Sequence, residues 1–219
     1  MNTMCEDNLD ALVHSIRAAQ LAEQQHQQLR QQVQQHYQDI SRLVEMADDQ
    51  GETLYRFTLS YIREVPVMLR DLHHAATEAG LWRHVKPVMD VALAFFPDAP
   101  NRHESQSEIV ALLHQAYLVH RLLEEVNESY IHRVGQPMVP KDMTLANVIV
   151  YTLIGDPAVY GLERLIEHSV KQVFSPQLAF QDPEFCAYLS RRTNDKLIQL
   201  SQPWPCMTAQ LGMASSMLN

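Results

Sequence analysis

Apolar residues recur at intervals of three and four along nearly the whole chain, the spacing that lines one face of an α-helix. Nowhere do they alternate as a half-buried strand requires, and no Asn-Gly or Asp-Gly pair marks a hairpin. The pattern predicts an all-α fold, a helical bundle of about six to seven helices with a long Gln-rich N-terminal helix. Expected helices cover 6–48, 52–79, 86–96, 105–133, 142–154, 157–174 and 183–200. Glycine punctuates them. Of six Gly in the chain, Gly51, Gly80, Gly135 and Gly155 fall where an apolar pattern stops, as a left-handed C-terminal cap requires. Asp156-Pro157 and Asp182-Pro183 supply the matching start signals, a carboxylate for the first free amides and a residue with no N–H to lose.

Residues 109–123 and 145–154 are apolar almost all round, and helices without a polar face belong at the centre of a bundle. The segment from 52 presents a seam of Leu54, Thr58, Tyr61, Val65, Met68, Leu72, Ala75 and Ala79, with Arg56, Arg63 and Arg70 on the opposite, solvated face. Pro66 lies inside that pattern and predicts either a kink or two helices meeting at Val65.

Three regions are expected: 1–50, a long helix and candidate coiled-coil arm; 51–200, the bundle; and 201–219, an irregular tail. Ten Gln between Gln20 and Gln38 make the middle of the first helix polar. Unbroken, some 40 residues would reach about 60 Å, longer than a compact bundle of this size. Two readings of this helix stay open: an association arm, or a broken helix packed on its own bundle.

Acidic residues outnumber basic ones 26 to 17 for a net charge of −9, without a basic run, which argues against nucleic acid and anionic membrane surfaces as partners. The start of the sequence is acidic rather than signal-like, and no window reaches the length of a membrane span. Cys5, Cys186 and Cys206 have no metal-binding spacing and read as buried thiols in a reducing compartment. A cytoplasmic protein is expected.

Eleven His among many carboxylates raise the question of a metal. Glu23-x-x-His26 and Asp71-x-x-His74 have the spacing used by carboxylate di-iron bundles, but both read as exposed charged residues, and no metal ligand is assigned. In the fourth helix, His114, Arg121, Glu125, Glu128 and His132 form a polar stripe in which Arg121 can pair with Glu125 and Glu128 with His132. His120, Glu124 and Asn127 lie instead beside the apolar arc, where unpaired polar groups cost on the order of 1 to 3 kcal/mol each. With Asn147 and Tyr151 of the other central helix they form the candidate ligand-binding set: a structural polar network, a small-ligand pocket, or a catalytic or metal centre.

Tyr188-x-Ser190-x-Arg192 resembles the Tyr-x-Ser-x-Arg signature of nitric-oxide-sensing haem domains, where it grips haem propionates. The resemblance covers five residues and implies a haem cofactor in a mixed helix and sheet fold, whereas this chain reads as helical throughout. Glycine-rich phosphate loops, nucleophile elbows and His-Glu-x-x-His are absent from the sequence, so no catalytic residue and no cofactor are assigned. The leading functional expectation is protein–protein association, by self-association or docking on a protein partner through the N-terminal helix. The alternatives are a sensor bundle for a small apolar ligand, with its pocket between the central helices, and a di-iron or other metal-dependent bundle enzyme.

Overall fold

A computed structural model describes residues 3–46, 49, 51–96, 108–192 and 204–215. Ten helices account for the fold among them, eight of seven residues or more. The longer ones are α1 (Thr3–His26), α2 (Gln28–Ile40), α3 (Glu52–Glu78), α4 (Trp82–Ala94), α5 (Glu108–Val134), α6 (Thr144–Ile154), α7 (Asp156–Val173) and α9 (Pro183–Arg192); α8 (Pro176–Ala179) and α10 (Met207–Gln210) are single turns. Of the expected helical stretches, 47–48, 105–107 and 193–200 lie outside the described residues.

The central helix is α5, which packs on α1, α2, α3, α4, α6 and α7. Its all-round apolar sequence accounts for this: Leu112, Leu113, Ala116, Val119, Leu122, Leu123 and Val126 are all buried, and each Leu or Val side chain contributes about 1.5 to 3 kcal/mol of burial. One face of α6 is similarly buried, through Ala146, Ile149, Val150 and Leu153, while Val148 stays exposed. Pro66 neither ends nor divides α3, which runs as one helix through it. Arg56, Arg63 and Arg70 are exposed.

The N-terminal region departs from the expectation of a single helix over 6–48. It breaks at Gln27, whose φ of 53° is left-handed, and the two pieces lie back on the bundle instead of projecting. Leu9, Leu12, Ile16 and Ala19 of α1, with Leu29, Val33 and Ile40 of α2, join the common core. The Gln-rich stretch is also bound into the fold: Gln32 donates to the carbonyl of Leu153 at 2.7 Å, at the open end of α6. Of the two readings left open for this region, the broken helix packed on its own bundle is the one found; neither Gly nor Pro marks the break, so periodicity does not place it.

Within the tail expected to be irregular, the described residues 204–215 carry α10 and a short strand. Met207 and Met213 are buried, and β2 (Ala214–Ser215) pairs antiparallel with β1 (Val44–Glu45), aligning Val44 with Ser215. Met217 lies outside the described residues. Gly155, at φ 85° and ψ 150°, turns α6 directly into α7, a backbone conformation available essentially to glycine alone.

Candidate functional site

On α5, His120, Glu124 and Asn127 point from the central helix toward three different neighbours. The His120 ring is fully buried; its Nε2–H donates to the backbone carbonyl of Tyr61 on α3 at 2.9 Å, and the two rings lie 4.2 Å apart. Nδ1 is buried without a hydrogen-bond partner. Burial pushes the pKa of His120 down to about 4, the bond to Tyr61 opposing and the Lys141 charge adding to the shift, so the ring is neutral. Lys141 itself pairs with Glu64 of α3.

Asn127 answers to the loop after α5. Its Oδ1 accepts the N–H groups of Met138 and Val139, and its Nδ2 donates to the carbonyl of Val139, all at 3.0 Å. Three of the four hydrogen bonds the amide can make go to backbone, so the side chain clamps this loop.

Glu124 and Asn147 do meet, with Asn147 Nδ2 donating to Glu124 Oε2 at 2.9 Å while Oδ1 accepts the hydroxyl of Tyr61 at 2.8 Å. The chain of bonds continues outward. Arg121 pairs with Glu124 and reaches Glu163 of α7 through Nε at 3.2 Å, and Tyr117 donates to the same Glu163 oxygen at 2.5 Å. Burial alone would lower the pKa of Arg121, but its bonds to Glu163 and Glu124 outweigh that and raise it, keeping the guanidinium charged. Burial and the bond to Glu163 push the Tyr117 phenol up; burial does the same for Tyr61. The network thus ties α3, α5, α6 and α7 together with one cation between two carboxylates.

Tyr151 stands apart from this set, its hydroxyl turned to Asp156 at the α6–α7 corner, a bond that raises its pKa. Arg121 is half-buried and bonds chiefly to Glu124 and Glu163, with Glu125 at 3.8 Å, so the stripe assigned to solvent is covered in part by α7. His114 is likewise half-buried, its pKa lowered by burial. Sequence reasoning missed Tyr61, Tyr117 and Glu163 as members. The two tyrosines carried the signal of a phenolic group at an inward helical position, whereas Glu163 read as an outward residue of its own helix.

Among the described residues no group of three or more His, Cys, Asp or Glu is placed to hold a metal ion. Glu23, expected to be exposed, is 2 % exposed, whereas His26, Asp71 and His74 are exposed. Of the resembling triplet, Tyr188 packs on Phe185 and Ser190 bonds the carbonyl of Cys186 on its own helix, at 2.8 Å. Contrary to expectation Cys186 is an exposed thiol, and Cys206 is half-buried. Two open grooves lie away from the network. One, of about 580 Å³, runs along Gly161, Arg164, Leu165, Glu167 and His168 of α7. The other, of about 560 Å³, lies between the end of α5 and α8, over Phe180.

The arrangement at the centre can hold four helices in register and exclude charge from His120; it presents no activated nucleophile. No helix among the described residues is long and apolar enough to cross a membrane. No protein-family model, curated protein or solved structure matches the chain.

Proposed function

We propose that the protein acts by protein–protein association, binding a second copy of itself through the outward face of α7. Gly161 carries this reading. It sits in mid-helix, where glycine costs roughly 0.5–1 kcal/mol relative to alanine. A methyl group placed there would meet nothing within 4 Å, so no contact inside one copy calls for glycine. A close external neighbour does. Leu165, 42 % exposed, lines the open groove with it, and Tyr160, the preceding residue, is 66 % exposed. Two copies of α7 crossing at Gly161 would bring their backbones together and cover both apolar side chains, in a two-fold arrangement that is self-complementary by symmetry.

The apolar face of the N-terminal helices is occupied within one copy, whereas Tyr160 and Leu165 of α7 are exposed. Sedimentation equilibrium of the wild type against Tyr160→Asp and Leu165→Asp tests it, since both positions are exposed and the variants should fold. The expected result is a concentration-dependent dimer weakened at least about ten-fold by either change, the equivalent of about 1.4 kcal/mol. A chain that stays monomeric throughout, or a dimer indifferent to both substitutions, overturns the reading.

A further inference from the structure

We infer that the elbow at Gln27 is a hinge, and that on straightening it α1 leaves its own bundle and seats in the identical groove of a second copy, giving an exchanged dimer. The inference does not depend on the α7 face.

Among the described residues Gln27 is the one non-glycine with positive φ, at φ 53° and ψ 28°. A left-handed conformation is unfavourable for any residue with a Cβ, and here nothing in the local sequence asks for it. Gln24, Gln25, Gln28 and Gln31 on either side are good helix formers, and neither Gly nor Pro interrupts the run. The residues therefore favour one continuous helix, and tertiary packing imposes the bend.

The bend is patched rather than free of cost. Glu23 Oε1 accepts the backbone N–H of Arg30 at 3.1 Å, standing in for the carbonyl that a continuous helix would offer that amide. In doing so the carboxylate is buried, and its Oε2 has no partner; one turn earlier the Nε2 of Gln20 is also buried without one. Straightening returns the amide of Arg30 to a helical carbonyl and takes Glu23 out of the elbow.

What holds the bend is the seating of Leu9, Leu12, Ile16 and Ala19 against α3 and α5. A second copy offers the same groove, so exchange keeps those contacts while relieving the elbow. The straight helix over residues 3–40 would extend about 57 Å, enough to carry α1 clear of its own bundle. Exchange of an element between identical copies is a low-cost route to dimers, because every contact but the hinge already exists in the monomer.

Sedimentation velocity on the full chain, with Gln27→Gly and Gln27→Ala beside the wild type, tests this. Glycine is at ease in the left-handed region and weakens the straight helix, so both effects favour the bent monomer. The dimer should weaken by at least about ten-fold in Gln27→Gly and strengthen by about two-fold in Gln27→Ala, a better helix former. Mixing separately labelled dimers should show subunit exchange limited by the unpacking of α1, slow compared with mixing. A Gln27→Gly dimer as strong as the wild type overturns the inference, as does a monomer in both wild type and Gln27→Ala at millimolar concentration. Tyr160→Asp separates the two surfaces. A dimer lost to Tyr160→Asp but indifferent to Gln27→Gly overturns exchange and leaves the α7 reading standing; one that responds the other way round does the reverse.

Discussion

His120 donates from Nε2 to the backbone carbonyl of Tyr61 at 2.9 Å, joining the central helix to α3 through an imidazole that solvent never reaches. The bond carries a pH consequence. Burial holds the folded pKa near 4, while the unfolded chain titrates near 6.5. Between these values the unfolded state binds a proton that the folded state refuses, so stability is intact above pH 6.5 and is lost as pH falls toward 4. The loss should approach about 3 kcal/mol. Urea denaturation at pH 7 and pH 4.5 measures it, and His120→Gln, which can still donate to Tyr61 but does not titrate, should show a smaller acid loss than the wild type.

The positions of His120, Glu124 and Asn127 beside the apolar arc were legible because 100° per residue assigns each side chain to a face of its own helix. Their partners were not. Asn127 answers to backbone 11 and 12 residues further on, in a loop whose path no periodicity dictates. Arg121 looked solvated because the angle on α5 says nothing of α7, which lays Glu163 across the same stripe. Tyr61 could be placed in a buried seam, yet not within reach of Asn147, 86 residues away. Bundle class and most helix ends follow from local chemistry; the break at Gln27 follows from packing, which outweighs the helical preference of its neighbours.

Replacing Asn127 tests the clamp on the loop. Asn127→Leu fills similar space but strips partners from two amides and a carbonyl, and should cost about 2–4 kcal/mol. Amide hydrogen exchange at Met138 and Val139 should accelerate more than exchange in the middle of α5. Unchanged protection at both amides would mean that the loop holds itself.

Arg121 and Glu163 form part of a network, so their contributions should not add. Each is partly exposed, at 24 % and 31 % of the side chain, which limits the worth of the pair. A double-mutant cycle of Arg121→Met and Glu163→Gln is expected to give a coupling of about 1 kcal/mol at low salt. Removing Arg121 alone should cost more than removing Glu163 alone, because it leaves two carboxylates facing each other without a cation.

Gly161→Ala separates folding from association. Within one copy the new methyl group meets nothing and helix propensity improves, so unfolding should become harder by about 0.5–1 kcal/mol. If two α7 helices approach at this point, the same methyl group should weaken the dimer. A variant more stable as a monomer and equally strong as a dimer would remove Gly161 from the interface.

Gly80 and Gly135 share a left-handed backbone, at φ 68° and 84°, but not their surroundings. A Cβ at Gly80 would lie 2.8 Å from the Cβ of Glu184 and 3.2 Å from its carbonyl carbon, whereas one at Gly135 meets nothing within 4 Å. Gly80 ends α3 where the start of α9 closes over it, beside a buried Asp182 that accepts from His84 at 2.8 Å and pairs with Arg83. Gly135→Ala should therefore cost only the conformational penalty, about 1 kcal/mol. Gly80→Ala carries that penalty and must also push α9 away from α4, disturbing the bonds to Asp182, and should cost at least about 2 kcal/mol more. Thermal or urea unfolding of the two variants side by side isolates the difference. Equal destabilisation would mean that the α9 end yields without resistance and that Asp182 does not fix its seat.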